Sequence, residues 1–469
     1  MNVKNSFYAS ALRYKLIISF VFILTSIVYQ ASSQPVIETI ISLPDDASPR
    51  DLLYNPIDNK IYIANTPDLN RPGAATESVT IIDGSTNQVI KSIPTKKGSR
   101  DFCHNTINDK VYVANYFSDS ITIIDGKTDN VLAILPVGDG PRALVYNSVN
   151  NRIYCANEMS GDVTVIDGES NTITGTIKVG QTPRVMCYNS ISNKIYVPNA
   201  GSGNLSVING ETNTVSATLT MGNVPRGIVF NPQMNRVYVS NYSSDNVSVI
   251  DGVMNTVIAT ISVGDGPTAI FHSSVGNKIY CSNVGAPGPG TPTQCTVSVI
   301  EASTNTVIKT ITTGDEPTAF CLATNTNRIY WANEWSHDIS VLDATTDALI
   351  SVIKYSNPPV TPVDICYNPL NNRIYTANRF KNQIGVINDQ AITTNIIEQS
   401  GIHQPLKIFP IPVHDILYLN KKTKYAIWSV TGQQIIVSDK PSDHINIGFL
   451  KEGIYFIKAG NQSVRFIKK

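Results

Sequence analysis

One pentapeptide limits what this chain can fold into more than any other feature. Ile153-Tyr154-Cys155-Ala156-Asn157 has seven near copies, at 61–65, 111–115, 195–199, 237–241, 279–283, 329–333 and 374–378. From Tyr112 to Tyr280 the tyrosine returns every 42 residues, and the other intervals, 50, 50 and 45, are the same unit with a few residues inserted. A period of this size belongs to a propeller blade or a solenoid unit.

Within one unit, Arg142 to Asn147 reads as a strand, Ser148 to Asn151 as a turn and Arg152 to Asn157 as a second strand. After a loop at Glu158 to Gly161, Asp162 to Ile166 alternates apolar and polar residues as a third strand. Asp167-Gly168 supplies a pair that tolerates positive φ in a tight turn, and Thr172 to Ile177 is the fourth strand. Four short antiparallel strands per unit make one blade. No 3.6-residue periodicity appears in the array, which excludes a helical solenoid.

First strands begin at Arg50, Arg100, Arg142, Arg184, Arg226, Thr268, Thr318 and Val363, which makes eight. Fourth strands inside the array number seven, and Val36 to Ile40 copies the fourth-strand pattern of Val257 to Ile261. The expectation is an all-β, eight-bladed β-propeller whose N-terminal strand completes the last blade, leaving no open sheet edge. Seven blades is the alternative, if one copy or the competing segment 391–397 is placed otherwise.

Three further motifs recur in order after the Tyr-x-x-Asn strand: Asn246 to Asp251, Asn255 to Ile261 and Val263 to Pro267. Together they resemble the YVTN (YncE-like) β-propeller repeat family over residues of about 35 to 390. That resemblance implies the fold. It does not imply a ligand, because the family spans binding proteins, surface-layer proteins and relatives with enzyme activity.

Both ends differ from the array. Lys4, Arg13 and Lys15 precede an apolar run from Leu16 to Val28, and Ala31 and Ser33 suit a signal peptidase site. Residues 1–33 therefore read as a secretory signal peptide; the apolar run is shorter than the about 20 residues that a transmembrane helix needs. The propeller is expected over 34–400. From Gly401 onward the repeat stops, and ten Lys and Arg stand against four Asp and Glu. Short strands are expected at 416–419, 425–430, 434–437 and 445–447, then the strand from Gly453 to Lys458 and a basic C-terminus. Residues 401–469 resemble a type IX secretion system type A sorting domain. The resemblance implies a small C-terminal β-sandwich that engages the type IX secretion machinery and routes the protein to the cell surface or the medium.

Lysine plus arginine equals aspartate plus glutamate at 36 each, so no net field favours nucleic acid. Cys103, Cys187, Cys321 and Cys366 share one repeat position, and Cys155 and Cys281 share another. They stand where other copies carry small apolar residues, which predicts buried free thiols. Cys281 and Cys295 are out of register for a disulfide.

The sharpest constellation is Arg50, Arg100, Arg142, Arg184 and Arg226, one at the start of the innermost strand in five consecutive blades. On a ring they form a basic arc around one mouth of the channel, suited to carboxylate, sulfate or phosphate. The plain alternative is that local acids or carbonyls, with Asp51, Asp101 and Asp364 following three arc positions, neutralise them. The tyrosines are expected to pack blade against blade, and the motif asparagines to bond their own loop backbone. Glu334, Trp335, His337 and Asp338 form the one loop that combines acid, base and aromatic groups. No His-Glu-x-x-His, Cys-x-x-Cys, Gly-x-Ser-x-Gly or phosphate-binding glycine loop occurs, so neither metal nor cofactor is expected. The functional expectation is a secreted, non-catalytic binding protein for an extracellular ligand, anionic or a glycan. A lactonase- or lyase-like enzyme and a structural surface-layer protein are the competing classes.

Overall fold

In the computed structural model, residues 34–44, 47–66, 77–285, 295–355, 360–389, 408–409, 415–429, 434–459 and 462–468 are described. The expected signal peptide and the segment 391–397 lie outside them. The chain divides into two compact units, Met1–Thr393 and Thr394–Lys469.

Among the described residues the first unit has eight four-stranded antiparallel sheets, one for each copy of the repeat. Blade three is typical: Pro141–Asn147, Arg152–Asn157, Asp162–Asp167 and Thr172–Lys178, innermost to outermost. In blade eight the outermost strand is Val36–Ser42, paired antiparallel with Gln383–Asn388. The innermost strands touch in sequence order, and the strand Pro362–Asn368 also touches Pro49–Asn55, so the ring closes.

The apolar runs of the second strands follow from this arrangement. Ile61, Tyr62, Ile63 and Ala64 are all buried, because neighbouring blades cover both faces of the sheet. Outermost strands such as Val131–Pro136 instead alternate exposed and half-buried positions.

Asparagine and aspartate join the blades. Each motif tyrosine donates its hydroxyl to an Asn or Asp of the next blade, for example Tyr154 to Asn213 at 2.6 Å, Tyr280 to Asp347 at 2.6 Å and Tyr330 to Asp389 at 2.7 Å. Seven of the eight acceptors (Asn87, Asp129, Asn171, Asn213, Asn255, Asn305 and Asp347) sit at φ between 54° and 61° in the turn before the outermost strand. Asn and Asp tolerate that left-handed backbone and leave a side-chain oxygen free to accept.

The motif asparagines differ from expectation. They donate to side chains on the third strand rather than to loop backbone: Asn115 to Thr122 at 2.9 Å, Asn157 to Thr164 at 2.9 Å, Asn241 to Ser248 at 2.9 Å. In blade eight Gly385 replaces that Ser or Thr, because a Cβ there would collide with the Tyr355 hydroxyl.

All seven cysteines are free, five buried and Cys187 and Cys366 half-buried. Cys295 Sγ lies 3.3 Å from the Val284 carbonyl oxygen, to which it donates.

Among the described residues the second unit is one five-stranded sheet folded about a core of Leu417, Leu419, Ile427, Ile445, Ile447, Ile457 and Phe466. The short strands expected at 416–419 and 425–430 are one long strand, Ile416–Ser429, and those at 434–437 and 445–447 are one strand, Gln434–Asn446. Register shifts between Tyr418 and Tyr425 let this long hairpin bend around the core, as a strand does at the corner of a sandwich. Among the described residues no helix is long and apolar enough to cross a membrane.

Candidate functional site at the channel mouth

The lip of the channel is built from two repeat positions. The first is the arc position at the start of each innermost strand. Pairing with the second strand skips Arg50, Arg100, Arg142 and Arg226, so each is the extra residue of a β-bulge. A bulge re-aims its side chain, here toward the mouth. Two residues upstream the backbone turns through positive φ, at Ser48, Gly98, Gly140, Thr182, Val224, Gly266 and Glu316. Glycine suits this position; Val224 at 54° is β-branched, so its conformation is held there by the fold.

The second position is the residue that follows each motif asparagine: Thr66, Tyr116, Glu158, Ala200, Tyr242, Val284, Glu334 and Arg379. Its N–H donates to the carbonyl of the positive-φ residue, as in Glu158 to Gly140 at 2.8 Å and Tyr242 to Val224 at 3.0 Å. In blade eight, where the connector residue Thr361 accepts instead, Arg379 is held at 2.9 Å. This locks the second ring of side chains against the first.

The five predicted arginines do gather, but their partners differ from the expected ones. Glu158, 6% exposed, accepts from Arg142 Nη1 at 2.9 Å and from Arg184 Nε at 2.7 Å. Burial raises the Glu158 carboxyl, but Arg142 and Arg184 outweigh it and hold the group below the usual carboxylate range. Arg100 lies over the Tyr116 ring at 4.2 Å and near Phe117 at 5.5 Å, and Arg226 lies over Tyr242 at 4.7 Å. Among the described residues Arg50, Arg100 and Arg226 form no ion pair. Burial, then repulsion from Arg100, Arg379 and Arg142, pushes the Arg50 guanidinium down to about 10, so it remains charged at neutral pH. Arg100 is lowered in the same way, by burial and then Arg142.

Among the described residues Asp51, Asp101 and Asp364 form no ion pair with the arc; the local pairing falls to Glu158, which holds Arg142 and Arg184. The three aspartates are half-buried on the innermost strands, and two of them brace adjacent blades: Asp364 Oδ2 accepts from the Leu52 N–H at 2.7 Å, and Asp101 Oδ2 from the Leu144 N–H at 2.6 Å. Burial raises the carboxyls of Asp101 to about 7 and Asp364 to about 6, and burial followed by the Asp364 and Asp101 charges raises Asp51 strongly.

The loop Glu334 to Asp338 is divided in its roles. His337 Nδ1 donates to the Val360 carbonyl at 3.0 Å, and Asp338 accepts from Asn333 at 2.7 Å, so both are occupied in holding the loop. Trp335 is 66% exposed on the rim. Glu334 faces the arc: burial, then Glu316, raises its carboxyl against the opposing pull of Arg379 and Arg50. The sequence places Glu158 and Arg379 on the variable second-to-third loops of this face, at the same offset after the motif asparagine, but does not pair them with the arc. Among the described residues no cluster of His, Cys, Asp and Glu has metal-binding geometry.

Blade four departs from the pattern. Its innermost strand was expected from Arg184, yet it starts only at Cys187, with an isolated bridge between Pro183 and Asn199. The cause is Pro198, where other copies carry Ala or Ser. The Ala200 N–H points to the inner strand, donating to Thr182 at 3.1 Å, so by alternation position 198 should donate the same way. Proline has no N–H, and the segment Arg184 to Met186 leaves the ladder. Beside it lies a cavity of about 430 Å³ between Arg142, Arg184 and Arg226 on one side and Glu316, Thr318 and Phe320 on the other.

Comparison with known proteins adds two matches. Residues 132–257 match the family model described as a lactonase with a 7-bladed beta-propeller, a stretch that includes Arg142, Glu158, Arg184 and Arg226. The described ring of this chain has eight sheets. Residues 407–469 match the model of a secretion system C-terminal sorting domain. Among solved structures the chain is similar to Kuenenia stuttgartiensis hydrazine synthase, at 18% identity and a TM-score of 0.50, covering 63% of this chain and 97% of that one. At that identity the likeness concerns the fold alone. A comparison with curated proteins gives no match. Fold and tail together define a secreted β-propeller protein. Its sorting domain directs it to the outer cell surface or the extracellular space.

Proposed function

We propose that this propeller is a non-catalytic binding protein that captures an anionic extracellular ligand at its channel mouth. Arg50, Arg100, Arg142, Arg184 and Arg226 form the binding arc, and Glu334, Trp335 and His337 belong to the loop at its rim. In the same reading the repeats are of the YVTN type and residues 1–33 are a signal peptide. Residues 34–400 are then the propeller, and 401–469 are the module engaged by the type IX secretion machinery.

The observation that carries this reading is the surplus of guanidinium groups at the lip. Among the described residues only Arg142 and Arg184 of the arc pair with an acid there, through Glu158. Burial and neighbouring arginines lower the proton affinity of both Arg50, beside Arg100, Arg379 and Arg142, and Arg100, beside Arg142 and Arg379, on a half-buried surface. A bound carboxylate, sulfate or phosphate relieves that repulsion and accepts charge-assisted hydrogen bonds. The test is calorimetric titration of the secreted protein with citrate, phosphate and sulfate. Replacing Arg100 and Arg226 with alanine is expected to weaken binding by about tenfold or more, whereas equal binding by variant and parent rejects the reading.

One observation favours a second reading, a lactone-hydrolysing enzyme: the lactonase model matches the stretch that carries three of the arc arginines. Glu334, with its raised carboxyl, would be the candidate base. Hydrolysis of a lactone panel that Glu334→Gln abolishes would favour this reading over the first.

A further inference from the structure

The cavity beside the arc has two unlike walls. On blades three to five the lining carries Arg142, Arg184 and Arg226. Blades six and seven have Thr268 and Thr318 at the arc position, and deeper in the same cavity Phe271 and Phe320. Their rings stack with centroids 6.1 Å apart and 15° between planes, and both are half-buried, so each leaves part of its surface to the cavity. Trp331 packs behind Phe320 at 6.0 Å and is fully buried, which fixes the stacked pair in place.

Two local features keep this wall open. Pro198 detaches Arg184 to Met186 from blade four, which brings the Val185 side of that segment to the cavity. At Gly227, any Cβ would collide with the Thr268 carbonyl, so blade five can present no side chain there. The space is of the size that holds a small molecule.

Resting on the anion-binding reading above, we propose that the ligand is an amphipathic organic anion, an aryl or branched-alkyl carboxylate. Its charged end lies against Arg184 and Arg226, and its apolar body lies on Phe271, Phe320 and Ile228. The chemistry selects against polyhydroxylated anions. Hydroxyl groups turned toward two phenyl rings lose their water partners and gain no donor or acceptor, whereas an aryl body leaves water for an apolar surface.

Titration of the full secreted chain with 3-phenylpropionate, acetate, gluconate and citrate tests this, with binding followed by calorimetry and by the fluorescence of Trp331 beside Phe320. The expected result is binding of 3-phenylpropionate at least about tenfold tighter than acetate or gluconate, reduced toward the acetate level in Phe271→Ala. Because that substitution also trims packing, Thr318→Glu serves as a second variant: it places a negative charge at the lip, leaves the core untouched and is expected to weaken 3-phenylpropionate binding. Equal binding of 3-phenylpropionate and acetate, or tighter binding of gluconate or citrate, overturns the inference while leaving the anion reading standing. Failure of all four anions to bind overturns both.

Discussion

The Tyr375 hydroxyl donates to Asn87 Oδ1 at 2.7 Å, joining the last blade to the first across 288 residues of sequence. The same pair recurs at every other blade boundary, from Tyr62 to Asp129 at 3.1 Å through Tyr330 to Asp389 at 2.7 Å. Closure of the ring therefore uses the bond that builds it. Tyr375→Phe removes one such bond at the seam and is expected to cost about 1 kcal/mol. Urea unfolding of the secreted protein measures it; an unchanged midpoint contradicts a structural role for the Tyr375 hydroxyl bond.

The channel aspartates predict an unusual pH dependence. An unfolded aspartate titrates near pH 3.9, whereas Asp101 and Asp364 titrate at about 7 and about 6 in the fold. Between these values the folded chain holds protons that the unfolded chain has released, so their contribution is complete at low pH and is lost as pH rises through 6 to 7. His272, lowered by burial, acts in the opposite sense below about pH 6.5. The comparison is therefore made against a variant: the melting temperature of the parent is expected to fall more between pH 5 and pH 8 than that of Asp364→Asn. The amide of that variant still accepts from the Leu52 N–H. Parallel profiles contradict the assignment.

Glu158 holds two arginines that would otherwise be available. Glu158→Gln keeps the side-chain shape but only one of the two acceptor oxygens, so it releases one of the two arginines, removes the charge and adds one unit to the net positive charge of the arc. Citrate binding is expected to tighten several-fold at low salt and the gain to shrink as salt rises. Loss of citrate binding in Glu158→Gln would mean that the carboxylate positions Arg142 and Arg184 rather than competing for them.

Pro198→Ala restores the missing donor in blade four. The variant is expected to gain about 1 kcal/mol in stability from a re-formed bond to the inner strand. Hydrogen exchange of the segment 184–186 should slow, and the cavity beside Arg184 should narrow, weakening any ligand held there. No change in exchange would assign the break in the strand to another cause.

Most of the fold was legible in the sequence because the repeat keeps its register. Eight tyrosines, eight first strands and the N-terminal copy of a fourth strand leave little freedom in how the sheets close. The arginine arc was legible for the same reason, since Arg50 to Arg226 stand at one offset in successive copies. The partners were not. Glu158 and Arg379 belong to a different loop from the arginines, and only the bulge and the backbone bond to the positive-φ residue bring the two positions side by side. Asp51, Asp101 and Asp364 sit next to arc positions in sequence, but Asp101 and Asp364 are taken up by backbone N–H groups of the neighbouring blade. Pro198 was visible as a departure from Ala and Ser, yet its consequence depends on which neighbour its N–H would have faced. In the tail, separate strands were expected because Asn420 to Lys424 interrupts the apolar pattern. That stretch is the bend of one continuous strand.

The most direct test of the central claim is a high-resolution structure of the protein secreted by its native host, with the channel mouth inspected for bound density. An organic anion bridging the arginines, its charged end beside Arg226 and its body toward Phe320, is the predicted result. A metal held by histidines and carboxylates of separate blades, or a mouth that stays filled with water alone at saturating citrate and 3-phenylpropionate, would contradict it.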